Sequence, residues 1–446
     1  MLRARMLDTE IQDRSRFDFV ELFAGVGGFR LGLERVGWQA VWSNQWEPST
    51  SRQDASNIYV SRFGPENHSN EDIEIALDRL EAGELQIPAH SLVVGGFPCQ
   101  DYSVARPLNQ ATGLVGKEGV LWWQIYRLVN LTRPRFLLLE NVNRLLTSPA
   151  SKRGRDFAVM LACLSDLGYT VEWRVVNTAD YGFPQKRRRV FIVAQMVSGN
   201  DYHDRPEETI LRSGVLAEAL PVTMASDNKV GIRSFSIDGS LLEVTQQFGL
   251  GNKVSPFANS GCMRRRLVTT IRTSPAYDGP KQTLADVLKD HSEVPENYFV
   301  PTNKLDSWRY LKGAKSPERK HRGSEFTYRY TEGPLPFPDP VDRPSRTVVT
   351  SEIGAAPSRM RHIISVGTRG YRRLIPVELE RLNGFPDGWT EYQGVTDGRR
   401  GFLMGNALVV GVVERIGAAL LKRVHPDSVV PGRGLSDPVT EVTPRS

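Results

Sequence analysis

Cysteine is scarce in this chain, with three in 446 residues, at positions 99, 163 and 262, and no CxxC pair among them. A disulfide framework and a cysteine zinc site are therefore both unsupported. The seven histidines form no HExxH or similar cluster, so no metal is expected and any chemistry at Cys99 is that of a single thiol. Long apolar runs are missing as well. No stretch reaches the ~18 consecutive apolar residues of a membrane span. The opening MLRARMLDTEIQDRSRF carries a charge every few residues and lacks a signal-peptide core. The expectation is a cytoplasmic protein with no membrane partner. There is no Walker pattern and no internal repeat.

What is present is an ordinary globular composition, 40% hydrophobic and 24% charged, long enough for two or three domains at ~100–200 residues each. The formal charge of +6 and a pI near 9.2 make a polyanionic partner plausible without requiring one.

From about residue 17 to 196 strand-like and helix-like segments alternate, which predicts a doubly wound, mostly parallel sheet. Phe157, Met160, Leu161, Leu164 and Leu167 fall at helical spacing and read as core. From about 200 to 345 that rhythm stops. Gly, Pro, Ser and Arg dominate, and the basic runs MRRRL and KGAKSPERKHRG appear. A substrate-reading domain and a solvated, loop-rich insertion both fit this stretch. Helical character returns at RRLIPVELERLNGF and at NALVVGVVERIGAALLKRV, the latter apolar enough to pack back on the first domain.

Two loops carry candidate chemistry. FVELFAGVGGFRLGLE places a glycine-rich turn between a strand and a helix, where backbone can approach a ligand closely. The dinucleotide fingerprint fails there, because position 30, three after Gly27, is Arg30. The next strand ends in SNQWEP. There Gln45 or Glu47 is placed to hydrogen-bond a ribose, and Trp46 either stacks on an adenine or packs in the core. A nucleoside-bearing cofactor without a pyrophosphate fits better than NAD. The second loop, GGFPCQDYS, follows the strand-like SLVVGGF and puts Pro98 and Cys99 at a strand's carboxyl end, where open α/β sheets bind ligands.

Taken in order, FAGVGGF, GGFPCQDYS, LLLENV, YGFPQKRRRVFIVA and GNALV closely resemble the cytosine carbon-5 DNA methyltransferase family, over about residues 17–424. The resemblance implies an α/β fold: a Rossmann-like, doubly wound, mostly parallel sheet that binds S-adenosyl-L-methionine, with a second, smaller DNA target-recognition domain. The expected division is an extension at 1–16, a catalytic domain at 17–199, the target-recognition domain at 200–395, a segment packing back at 396–424 and a tail at 425–446.

The resemblance makes Cys99 the nucleophile that adds to carbon 6 of cytosine, since carbon 5 is too electron-poor to accept a methyl group unaided. Arg187 and Arg189 are the groups that favour its thiolate. Glu140 contacts ring nitrogen 3 and the exocyclic amine, with a pKa raised by burial, and Asn141 holds the loop. Phe23, Gly25, Trp46, Asp72, Pro98, Leu121 and Asn406 match cofactor-binding positions. Gln45 stands where an acidic residue usually grips the ribose, Ala105 where some relatives carry serine, and Glu118 where arginine is common before Gly119.

A cytosine inside a duplex must be extruded before a thiol can reach it. Double-stranded DNA is therefore the expected partner. Gln100 and Ser103 come from the loop after Cys99. Arg264, Arg265, Arg266, Lys312, Lys315, Arg319, Lys320 and Arg322 are the phosphate or base candidates, with Trp308 and Tyr328 as stacking or packing residues. The protein is expected to act as a monomer, alongside cognate restriction or defence proteins. An RNA cytosine methyltransferase and a catalytically inactive DNA-binding regulator are the alternative readings.

Overall fold

A computed structural model describes residues 17–97, 121–197, 205–227, 231–316, 318–320, 327–329 and 331–424, with backbone alone at 319, 320 and 328. Pro98, Cys99, Gln100, Ser103 and Arg322 lie outside the described residues, as do the side chains of Arg319, Lys320 and Tyr328.

The first half builds a central sheet from β1 (Asp18–Leu22), β2 (Gln39–Asn44), β3 (His68–Ser69), β4 (Leu92–Gly96), β5 (Phe136–Val142), β6 (Tyr169–Asn177) and β7 (Arg188–Met196). Helices α1 (Gly28–Glu34), α2 (Asp54–Phe63), α3 (Ile73–Glu81), α4 (Leu121–Thr132) and α5 (Arg155–Asp166) connect them. Short strands follow: β8 (Val222–Met224), β9 (Arg233–Ser236), β10 (Ser260–Arg264), β11 (Leu267–Ile271) and β12 (Thr273–Pro275). The later helices are α6 (Leu305–Lys312), α7 (Pro376–Asn383), α8 (Asp397–Asn406) and α9 (Val410–Val424).

The main sheet has ten strands in the order β3-β2-β1-β4-β5-β7-β6-β10-β11-β9. β1, β2, β3, β4 and β5 pair in parallel, whereas every pairing from β5 to β9 is antiparallel. The sheet is mixed, which corrects the expectation of a mostly parallel one. The reason is connection length. Parallel neighbours need a crossover of a dozen or more residues, but β6 and β7 are joined by 178–187 alone. β10 and β11 are joined by Arg265 and Arg266 alone, both left-handed at φ 46° and 64°, the turn geometry a tight hairpin requires. The boundary expected at 199/200 thus cuts a continuous sheet, because β9, β10 and β11 extend it.

Both faces are covered, so strands such as FLLL at the start of β5 are apolar on both sides. One face packs Ala76 and Leu77 of α3, Ile125 and Leu128 of α4, and the expected core residues of α5, Phe157, Met160, Leu161 and Leu164, together with Leu167 just beyond it. Each of the larger side chains contributes about 1.5–3 kcal/mol. The other face packs Phe29 and Leu33 of α1 with Val412, Val413, Ile416 and Leu420 of α9. At Gly32 a Cβ would stand 2.9 Å from the Val410 carbonyl, so the close approach of α1 and α9 requires glycine.

Among the described residues one stretch, Asp397–Val424, is long and apolar enough to cross a membrane. In the fold it is α8 and α9, interrupted at 407–409 and largely buried. The return to the first domain also begins earlier than residue 396. Leu379, Leu382, Phe385 and Trp389 share a core with Val26, Ala55 and Ile58.

Lys312 is fully buried, with its Nζ 2.9 Å from Asp339, which also pairs with Arg346 at 2.7 Å. Burial pushes the Lys312 ammonium pKa down and Asp339 pulls it back. Lys312 is therefore a core ion pair, which corrects its assignment as a DNA contact, and the fully buried Trp308 on the same helix is a packing residue. Asp339→Ala strands that charge and should cost about 3–5 kcal/mol by urea denaturation. A loss below ~1 kcal/mol would contradict the pairing, since that is the scale of an exposed bridge.

Candidate active site

The carboxyl ends of β4 and β5 and the start of β7 meet at one edge of the sheet. Gly96 on β4 pairs with Glu140 on β5, and Glu140 pairs with Phe191 on β7 while Val142 pairs with Arg189. Side chains alternate along a strand, so Glu140, Phe191 and Arg189 share a face. The Arg189 Nε lies 2.8 Å from a Glu140 carboxylate oxygen, with the two side chains 18% and 13% exposed. Burial raises the Glu140 pKa, and the charges of Arg189 and Arg187 oppose that rise. The result is a carboxyl group held in one orientation and poised to keep or share a proton. Beside it, Asn141 is buried and donates to the Phe97 carbonyl at 3.0 Å, which fastens the chain entering the Pro98–Cys99 segment.

Arg187 sits beneath this edge. Its terminal nitrogens donate to the carbonyls of Val348 at 3.3 Å and Gly405 at 2.9 Å, so it ties the start of β7 to the C-terminal return. Burial and Arg189 push its pKa down to about 9, with Glu140 acting upward, and it stays charged at neutral pH. Cys163 and Cys262 are both buried, and burial pushes each thiol up to about 12.

The glycine-rich loop lies at the carboxyl end of β1. Phe23 adopts φ 55°, a strained left-handed conformation rare for a bulky residue. Gly25, at φ 56°, has no atom of the described residues within 4 Å of where a Cβ would stand, so among them the space above it is open. Gln45 is buried, and its Oε1 accepts the Gly25 N–H at 2.7 Å. Trp46 is exposed and available for stacking. Asp72 caps α3 through the Glu74 N–H at 2.9 Å. Leu121 is half-buried at the start of α4 and Asn406 is exposed at the end of α8. These residues fit a nucleoside-bearing group: open space over a glycine, an exposed indole and hydrogen-bonding side chains on neighbouring strand ends. Glu47 is engaged within the fold. It pairs with Arg399 and accepts the Ala55 N–H at 3.0 Å.

The basic run Arg264–Arg266 is placed elsewhere. By register Met263 pairs with Val171 and Val176 pairs with Arg189, so Arg264 and Arg189 stand six positions apart along the strands, roughly 20 Å at ~3.3 Å per residue. The hairpin tip is at the end of the sheet opposite Glu140. Arg264 donates to Thr209 at 2.6 Å, and Arg266 grips both oxygens of Asp166 at 2.8 and 2.6 Å. Arg264 and Arg266, expected as phosphate or base contacts, are thus engaged within the fold, whereas Arg265 at the hairpin tip is exposed. Lys315 pairs with Glu332 at 3.6 Å and donates to the Leu311 carbonyl.

Sequence reasoning missed Glu21 and Trp389. Glu21 is fully buried on β1 and accepts from the Tyr59 hydroxyl at 3.1 Å and the Arg30 N–H at 3.4 Å. An acidic residue inside the otherwise apolar FVELF was the available signal. Trp389 donates from Nε1 to the Val26 carbonyl at 2.8 Å, bracing the glycine-rich loop from the C-terminal side, and no local pattern announces that contact.

The family model for C-5 cytosine-specific DNA methylase matches residues 17–422. The chain is similar to Type II methyltransferase M.Sau3AI of Staphylococcus aureus, 43% identical over 416 residues that cover 92% of this chain and 96% of that protein. It is also similar to Type II methyltransferase M.NgoBI of Neisseria gonorrhoeae, 36% identical over 174 residues, 39% of this chain and 49% of that one. Among solved structures, the S. pombe Dnmt2 methyltransferase aligns with a TM-score of 0.54 at 16% identity, covering 92% of this chain and 99% of that chain. At that identity the likeness is one of fold.

Burial pushes the Glu21 carboxyl up to about 8 from its ordinary 4.5, against the downward pull of Tyr59 and Arg30. The folded state therefore holds this proton more tightly than the unfolded state. The associated stability is fully present below pH ~4.5 and is lost as pH rises through about 8. Glu21→Gln should remove this loss, so the variant should melt several degrees above the native protein at pH 8.5 and close to it at pH 5. An unchanged difference between the two pH values would contradict a buried, protonated Glu21.

Proposed function

This chain belongs to the C-5 cytosine-specific DNA methylase family and is a DNA (cytosine-5-)-methyltransferase. From that premise we propose that it methylates carbon 5 of a cytosine extruded from a specific duplex sequence, through a covalent adduct with Cys99. The cellular setting is the cytoplasm, and the role is that of a modification enzyme in a restriction-modification or related defence system. The observation that carries the reading is the Glu140–Arg189 pair, at 2.8 Å, with Glu140 itself paired to Gly96, three residues before Cys99.

Phe23, Gly25, Gln45, Trp46, Asp72, Pro98, Leu121 and Asn406 are the residues that would hold S-adenosyl-L-methionine, which supplies the methyl group. The Cys99 thiolate forms a bond to carbon 6 of the cytosine, and the ring's electron pair is thereby released toward carbon 5. Glu140 meets ring nitrogen 3 and holds the proton that stabilises the added electron density, which is why a pKa raised by burial serves it. Arg189 fixes the carboxyl in place, and Arg187, two residues earlier, anchors the strand that carries Arg189. Once carbon 5 carries the methyl group, loss of its proton expels the thiolate and restores the ring. Cys163 and Cys262, with thiols near 12, are poor competitors for the nucleophile's role. Part of the segment 200–395 reads the DNA target.

Cys99→Ala should abolish tritium transfer from labelled S-adenosyl-L-methionine to DNA while leaving cofactor affinity nearly unchanged; retained turnover would refute the pathway. Glu140→Gln keeps a hydrogen bond but loses the proton, so its catalytic rate should fall by at least ~100-fold with a smaller change in DNA affinity. A change in affinity alone would make Glu140 a binding residue.

A further inference from the structure

The reactive edge of the sheet does not stop at Arg189. Arg188 pairs with Asn177 at the carboxyl end of β6. Because each pairing from β7 outward is antiparallel, the start of β10, the end of β11 and the start of β9 all reach this same edge. Asn259, Arg272 and Arg233 stand there. Between this edge and the β8–β12 pair a groove of about 580 Å³ opens, bordered by Arg188, Arg233 and Arg272, with Phe257, Asn259 and Ser274 in its wall.

The Asn259 amide in this wall is already satisfied. Asn259 accepts the Thr273 N–H at 3.0 Å and donates to the Thr273 carbonyl at 2.8 Å. The guanidinium groups are far less committed. All three arginines are exposed. The Arg188 side chain has no hydrogen-bond or ion-pair partner among the described residues, and Arg233 donates once, to the Pro256 carbonyl at 2.8 Å. Arg272 pairs with Asp227 at 3.1 Å, both side chains more than half exposed, an ion pair of little worth that a phosphate can replace. Three cations face one carboxylate. Arginine's planar fork matches phosphate oxygens two at a time.

We propose that this groove seats the sugar-phosphate backbone of the duplex flanking the extruded cytosine, with Arg188, Arg233 and Arg272 contacting phosphates. The proposal rests on the DNA methyltransferase reading above and adds to it the surface that holds the substrate. By strand alternation Arg188, Arg233 and Arg272 share the face of the sheet opposite Glu140 and Arg189; along the common edge Arg272 and Arg233 lie four and five strands from Glu140, roughly 20 Å at ~4.8 Å per strand, a span of about six base pairs at ~3.4 Å each. Phosphates gripped over that distance supply free energy to offset the few kcal/mol needed to unstack the target base. The strands β9, β10 and β11 thus continue the catalytic edge into a DNA-holding one.

The test is binding of the full chain to a fluorescent mixed-sequence DNA duplex across a salt series. The triple variant Arg188→Gln, Arg233→Gln, Arg272→Gln should reduce the slope of log affinity against log salt by ~2–3, at ~0.9 for each phosphate no longer neutralised. The triple Arg→Lys variant should restore most of the slope, and Arg188→Gln alone should lower it by ~0.9. Neutralising Arg264, Arg265 and Arg266, at the opposite end of the sheet, should leave it unchanged. S-adenosyl-L-methionine affinity, measured by calorimetry, should be the same throughout and reports the fold; if the triple Gln variant loses it, the single and Lys variants decide. An unchanged slope in the groove variants, with native methyl transfer to DNA intact, overturns the groove and leaves the function standing. A native protein that neither methylates nor binds DNA overturns both.

Discussion

The register linking β4, β5 and β7 is the constraint on which the rest of the site depends. A one-residue slip of β7 against β5 would turn Arg189 to the opposite face of the sheet, leaving the buried Glu140 carboxyl without its cation. The register is protected because the apolar residues along it are packed. Leu138 and Leu139 on β5 and Phe191, Ile192 and Val193 on β7 are all essentially buried, and a slip would move each set into the wrong core. Hydrophobic patterning on two faces therefore specifies the placement of two charged side chains at the edge. The same register aims β4 so that Phe97 meets Asn141, and β4 ends with Gly96 paired to Glu140.

The second requirement is the return of the C-terminal chain. Trp389 holds the Val26 carbonyl, Arg399 pairs with Glu47 and with Asp54 at 3.0 Å, and Arg187 reaches the Gly405 carbonyl. The glycine-rich loop, the loop after Trp46 and the start of β7 are thereby each tied to residues distant in the chain. Such ties explain how a strained residue such as Phe23 is tolerated: the surrounding structure over-determines it. They also explain why the C-terminal helices cannot be an independent unit, since α9 packs directly on α1 and the sheet.

The chemistry-bearing residues were legible in the sequence because short motifs place them at strand ends, and strand ends are readable from apolar runs. Glu140 closing RFLLLE and the open glycine turn at Gly25 are examples. The sheet beyond β6 was not legible. Strands of four or five residues such as RSFS and SGCMR carry too little periodicity to reveal that they prolong an existing sheet, and the mostly parallel expectation failed for that reason. Charge was the least legible property. Lys312, Arg264 and Arg266 read as solvent-facing cations, yet Asp339, Thr209 and Asp166 take them up, and each partner is at least 27 residues distant in sequence. Arg188, Arg233 and Arg272 form no run at all and gather only because antiparallel pairing brings their strand ends to one edge.

The central claim is that the edge formed by β4, β5 and β7 carries a covalent reaction at Cys99. It is tested most directly by duplex DNA whose target cytosine bears fluorine at carbon 5. Fluorine cannot leave as a cation, so elimination fails after methyl transfer and the adduct should survive denaturation. Intact mass should equal protein plus modified strand plus one methyl group, with the link mapped to Cys99. A complex that forms only without S-adenosyl-L-methionine, or that maps to Cys163 or Cys262, would contradict the account.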